Sequence, residues 1–141
     1  MKWTLAACLA VNVYLLGAML WFAAIAYPQF GAVDRAAFPP IYAAFTARIA
    51  FTVVPWEFVA FLATLPLYFA RPVAVPVWCV HALVALGVAY FAITFAWHLP
   101  AHRPLAAGDN SGLAVLLTSQ WVRTGVQAVR AGVLIWAGTR G

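Results

Sequence analysis

GLAVLLTSQWVRTGVQAVRAGVLIWAG, residues 112–138, is an almost uninterrupted apolar run, yet it carries Gln120, Arg123, Gln127 and Arg130. Their spacing is i, i+3, i+7, i+10, which puts all four on one face of a helix at about 100° per residue. A run of this length reads as a membrane span. Two guanidiniums and two amides facing hydrocarbon would cost several kcal/mol. The stripe therefore predicts a polar centre inside a multi-span membrane protein.

The rest of the chain supports that reading. Of its 141 residues 67% are hydrophobic and 8% charged, where soluble domains carry about 25% charged. Three further apolar runs reach spanning length, so the expected spans are residues 4–27, 41–69, 73–97 and 112–138. The first run is too long for the apolar core of a signal peptide and lacks a small-residue cleavage site, which makes it a span. Tyr27-Pro28 is expected to end span one. Pro39-Pro40 suits the start of span two, Arg71-Pro72 makes a short turn, and Asp109-Asn110-Ser111 offers capping oxygens for span four. Short connections make successive helices antiparallel neighbours. The expected fold is all-α: a single domain, residues 1–141, forming an integral membrane antiparallel four-helix bundle. Trp3, Trp97 and Trp136 stand at span ends, as interfacial anchors do.

Eight basic residues face Asp34, Glu57 and Asp109, for a net charge of +5. That excess reads as topology and headgroup contact. No basic cluster exists to follow a phosphate backbone, so nucleic acid is not an expected partner. Lys2 ahead of the first span favours cytoplasmic termini and multi-pass placement in the inner (plasma) membrane. Cys8 and Cys79 have no partner spacing for metal and read as small core residues.

Depth sorts the polar groups into two layers. Glu57 is expected to lie well inside span two, in the outer layer. Gln120 and Arg123 fall at the same level, which makes Arg123 the natural partner of the Glu57 carboxylate. Asn12, His81 and Arg130, from three different spans, form a second layer nearer the cytoplasmic face. Pro55 and Pro66 kink span two and open space beside Glu57. Between spans three and four, His98-Leu99-Pro100-Ala101-His102-Arg103-Pro104 holds two imidazoles four residues apart, but its prolines argue against a regular helix. As a metal site it supplies two ligands and no third, so no metal is assigned, and the residues name no cofactor.

Taken in order, Tyr27-Pro28-Gln29-Phe30, Phe38 to Arg48-Ile49, Pro55-Trp56-Glu57, the Leu99 to Gly108 stretch, and Gln120-Trp121-Val122-Arg123-Thr124 with Arg130 beyond resemble a group of small, uncharacterised bacterial four-span membrane proteins loosely similar to the anthrone oxygenase-like family. The resemblance covers nearly the whole chain. It implies weight for Glu57, His102, Trp121, Arg123 and Thr124, and an aromatic or quinone-like substrate. This chain departs from the pattern by carrying Tyr42 and Phe45 where members have a histidine pair, and Gln120 where they usually have Asn. The lost imidazoles remove candidate metal ligands or proton carriers.

Two functions compete. One is a binding module or accessory subunit of a membrane complex. It would take an amphipathic, aromatic or quinone-like molecule in the outer half of the bundle, against Glu57, His102, Arg123, Gln120, Trp121, Thr124 and Trp56. The other is a membrane oxidoreductase or oxygenase with Glu57 or His102 as base and Arg123 as oxyanion partner. Small residues Gly125, Ala128, Ala131 and Gly132 permit close approach of another helix, from a second copy or a larger complex.

Overall fold

The computed structural model describes residues 2–140; Met1 and Gly141, the termini whose sidedness is at issue, lie outside the described residues. The fold is all-helical, with no strand among the described residues. Three stretches are long and apolar enough to cross a membrane: Trp3–Ala32 (30 residues), Phe38–Leu62 (25) and Val77–Ala106 (30). A fourth long helix, α8 (Leu113–Gly138, 26 residues), is of similar length, but its two arginines and two glutamines lower its hydropathy.

The first stretch is α1 (Lys2–Trp21), a wide π turn at Phe22–Ala26, α2 (Tyr27–Gln29) and a tight 3-10 turn at Phe30–Ala32. The sequence reading ends this span at Tyr27-Pro28, but the helix runs straight through. The Tyr27 N–H reaches back five residues to the Phe22 carbonyl. That widened turn moves the Ala24 carbonyl away from the Pro28 ring, which would collide with it in a regular helix. The third stretch repeats the device. It consists of α6 (Val77–Ile93), a π turn at Thr94–His98 and α7 (Leu99–Ala106), and the Leu99 N–H bonds the Thr94 carbonyl just ahead of Pro100. The His98 to Pro104 stretch, expected to be irregular, is therefore helical. Pro100 sits directly after the π turn, which makes room for its ring, and Pro104 lies inside α7. Gly108, at φ 80°, ends the segment in the left-handed conformation that glycine adopts most readily.

The second stretch is broken where kinks were expected. α3 (Phe38–Thr52) opens on Pro39-Pro40 and stops at Val53, two residues before Pro55; α4 (Val54–Leu62) follows. Turns over residues 63–66 separate it from α5 (Leu67–Ala70). Thr64 bonds the Phe61 carbonyl, three residues back, ahead of Pro66. The Ala60 carbonyl is thereby left without its helical donor. α6 starts at Val77, not Val73, because Pro76 holds an extended conformation before it. Ahead of α8, Asp109 caps the 3-10 turn Asn110–Gly112 by accepting the Ser111 N–H at 2.9 Å.

Contacts fix the relative directions. Asn12 meets Gln127 and Met19 meets Gln120, so α1 and α8 run oppositely. Trp78 meets Trp136 and Tyr90 meets Arg123, so α6 and α8 do too. Phe22 against Phe45 and Tyr14 against Trp56 oppose α1 to the α3–α4 stretch. Two apolar clusters fill the interior. One gathers Leu15, Met19, Tyr27, Phe38, Tyr42, Tyr90 and Leu116; the other gathers Leu5, Cys8, Val80, Leu83 and Leu134 at the opposite end. The polar stripe of α8 threads between and beside them.

Candidate functional site

All four polar residues of the α8 stripe are buried: Gln120 and Gln127 at 0% exposure, Arg130 at 1%, Arg123 at 3%. Arg123 Nη2 bonds Glu57 Oε1 at 2.6 Å, the pairing expected from equal depth. The Tyr90 hydroxyl donates to the same oxygen at 2.7 Å and lies 2.5 Å from Arg123 Nη2, while the guanidinium sits 4.7 Å over the Tyr90 ring. Arg123 Nη1 donates to Gln120 Oε1 at 3.1 Å, and Gln120 Nε2 donates to the Met19 carbonyl across the interface with α1. The carboxylate is thus held by one oxygen only. Glu57 Oε2 takes no hydrogen bond among the described residues.

A second polar chain lies along α7. The Ser119 hydroxyl donates to the Leu116 carbonyl at 3.0 Å, so toward His98 it is an acceptor, and His98 Nδ1–H donates to it at 2.9 Å. His98 Nε2 is then unprotonated and accepts from His102 Nε2–H at 3.3 Å. His102 Nδ1 in turn accepts the Tyr42 hydroxyl at 2.5 Å. With both rings neutral, the fixed hydroxyl of Ser119 sets one consistent arrangement of tautomers. The chain ends on a backbone carbonyl and leads no proton onward.

Both chains border one cavity of about 300 Å³, whose wall includes Glu57, Gln120, Arg123, His98, His102, Tyr27 and Tyr42, with Met19, Phe22, Ile49 and Val53 supplying apolar surface. This is the low end of the size range of small-molecule sites. Ala50, Val54, Leu99 and Ala106 also line it and are themselves exposed on the outer surface, so the cavity opens sideways between the α3–α4 stretch and α7. The break at Val53 ahead of Pro55 creates that gap, since Val53 and Val54 both line it.

The inner layer differs from expectation. Asn12 and Arg130 are in it, but His81 is exposed on the outer face of α6 against the Tyr68 ring. Equal depth did not fix azimuth, and Gln127 takes its place. Gln127 Nε2 donates to Asn12 Oδ1 at 3.0 Å, and Arg130 donates to Gln127 Oε1 at 3.2 Å and to the freed Ala60 carbonyl at 3.1 Å. No carboxylate pairs with Arg130 among the described residues. Trp56 and Trp121 are 44% and 50% exposed and point away from the cavity. Thr124 is buried but spends its hydroxyl on the Gln120 carbonyl. Of the sequence candidates, Glu57, His102, Arg123 and Gln120 come together. Sequence reasoning gave His98 no site role, expecting an irregular stretch there, and passed over Tyr42, Tyr90 and Ser119 as site residues. The signals were present for two of these: His98 lies four residues from His102, and Tyr42 occupies a position where the resembling family has histidine. Comparison with protein-family models, curated proteins and solved structures finds no match to this chain.

Proposed function

We propose that this chain is a multi-pass inner-membrane protein, an antiparallel four-helix bundle with cytoplasmic termini. In this reading it binds an amphipathic, aromatic or quinone-like molecule in the cavity beside Glu57 and Arg123. The carrying observation is the sideways mouth, an apolar opening between two candidate spans; in a bilayer that mouth would face hydrocarbon, and a ligand would reach it by partition and not from water. Inside, the ring meets Met19, Phe22, Tyr27 and Ile49, and a polar end meets Glu57 Oε2, the acceptor left free on the wall. A hydroxylated ring suits that acceptor. A fully buried carboxylate, amide and guanidinium at one level are costly unless something uses them, which supports a site at this position. Lipid is then the solvent and a small hydrophobic molecule the partner. Gly125, Ala128 and Gly132, exposed on α8, leave room for a second subunit, whereas Ala131 is buried inside the bundle.

The alternative is a membrane oxidoreductase or oxygenase of anthrone oxygenase-like character, with Glu57 or His102 as base and Arg123 as oxyanion partner. One observation favours it: Glu57 Oε2 is unengaged beside the cavity. Two weigh for binding alone. Arg123 already spends Nη1 and Nη2 on Gln120, Glu57 and Tyr90, and both nitrogens of His102 are engaged. Native mass spectrometry of protein extracted from its own membranes tests the reading. A co-purifying aromatic or quinone mass, lost in Glu57→Ala, is expected. A protein that carries only phospholipid, and takes up no added hydroxynaphthoquinone, refutes it.

A further inference from the structure

Helical continuity through Pro100 puts His98 and His102 one turn apart with their Nε2 atoms facing each other at 3.3 Å. Each ring is anchored from behind by a hydroxyl oxygen at its other nitrogen: Ser119 Oγ for His98 and Tyr42 Oη for His102. Outer-sphere oxygens on Nδ1 are the usual means by which a metal-ligating imidazole is oriented through Nε2. A single ion at the ordinary Zn–N distance of about 2.0–2.1 Å from both nitrogens would span that gap with an N–metal–N angle of about 104–111°, close to tetrahedral.

We propose that His98 and His102 form the protein half of a site for one divalent transition-metal ion of zinc type, bound through both Nε2 atoms with its remaining positions open to the cavity. Sequence alone argues against such a site, because two ligands without a third make a weak motif. The structure adds no third His, Cys, Asp or Glu to the pair among the described residues, but it supplies geometry that the motif alone does not. The rings are held at bridging distance on a rigid turn, and a cavity beside them can seat water, hydroxide or a ligand oxygen in the open positions.

The proton balance is local. In the metal-free arrangement His98 already has its proton on Nδ1, because the Ser119 hydroxyl is committed to Leu116. His102 must move its proton from Nε2 to Nδ1, and the Tyr42 hydroxyl then turns from donor to acceptor. No proton is released by the protein. The Glu57–Arg123 pair is neutral as a unit. The ion's charge would therefore be met by hydroxide or an aryl-oxide in the open positions, formed from bound water or a phenol whose proton passes to solvent.

The test uses metal alone. Purified protein in detergent, stripped with chelator, is titrated with Co²⁺ and then Zn²⁺. One Co²⁺ per chain is expected, with the visible absorption of a tetrahedral ion, displaced by Zn²⁺. His98→Gln and His102→Gln should each lose at least tenfold in affinity. Tyr42→Phe, which removes only the anchoring oxygen, should lose about tenfold while keeping the tetrahedral spectrum. Absence of stoichiometric binding overturns the proposal, as does affinity unchanged in both histidine variants. Should the glutamine variants fail to fold, the wild-type spectrum and a Zn²⁺-dependent rise in melting temperature saturating at one equivalent decide in their place. No organic ligand is present, so failure here leaves the ligand-binding reading standing on its own titration.

Discussion

Glu57→Gln removes one charge from a pair buried to 4% and 7% side-chain exposure and changes almost nothing in shape. Breaking a buried pair by deleting one partner costs about 3–5 kcal/mol, because the survivor is left charged in a low-dielectric setting. Here the loss is smaller. The glutamine oxygen can still accept from Tyr90 and from Arg123 Nη2, Gln120 still binds Arg123 Nη1, and the Tyr90 face lies 4.7 Å beneath the guanidinium. The cation–π contact alone contributes about 0.5–2 kcal/mol. The expected destabilisation is about 2–4 kcal/mol, measured as loss of helix signal against SDS fraction in mixed micelles. Arg123→Met should cost a similar amount by stranding Glu57, and the double variant should lie closer to wild type than either single one. A coupling at least as large as the single-variant costs, about 2–4 kcal/mol, is expected from that cycle. Single variants within about 0.5 kcal/mol of wild type, with no coupling, would refute the argument that this pair carries its charge in a dry interior.

Arg130→Met should destabilise less than Glu57→Gln, by under about 1.5 kcal/mol, since Arg130 has no carboxylate to strand and Ala60 keeps Asn12 as a donor; the same SDS titration checks it. Gly112→Ala should cost about 1–3 kcal/mol, because a Cβ there meets the Ala101 carbonyl oxygen at 2.6 Å, a backbone atom with little freedom to retreat. Asp109, outside the spans, is held below the ordinary carboxylate range first by the Ser111 N–H and then by the Ser111 hydroxyl. Its contribution to capping is therefore fully present above the ordinary range and fades only as pH falls through the lowered value. Carboxyl NMR titration in wild type and Ser111→Ala should show the depression shrink in the variant.

Hydrophobic periodicity carried the all-helical fold and the bounds of α8, because a polar stripe in an apolar run has one way to face. Depth counting carried Glu57 to Arg123, since two opposite charges at one level of a narrow interior have few other partners. The same counting failed for His81. A level says nothing about which side of the helix a residue occupies, and His81 looks outward. Prolines were legible as events but not as outcomes. Pro55 and Pro66 broke their helix, whereas Pro28 and Pro100 were absorbed by π turns, a choice made by the packing around them and invisible to a residue-by-residue rule. That absorption is what turns His98 and His102 toward each other, so the histidine pair lay beyond reading from its spacing alone. Trp56 and Trp121 show the converse: aromatic residues adjacent in sequence to a site need not face it, because in a helix neighbours i and i+1 point about 100° apart.

The sideways cavity is tested most directly by titrating a short-chain hydroxynaphthoquinone, whose hydroxyl can donate to Glu57 Oε2, into the protein in lipid nanodiscs, comparing wild type with Val54→Trp. Val54 stands at the mouth, and its indole replacement fills the gap while Glu57, Arg123 and both histidines are retained. Phe51→Trp, at a neighbouring residue 84% exposed and off the cavity wall, serves as control. Saturable one-to-one binding is expected in wild type and in the control, weakened at least tenfold, about 1.4 kcal/mol, in Val54→Trp. Uptake that rises linearly with lipid concentration, or Val54→Trp binding as tightly as wild type, would contradict the account.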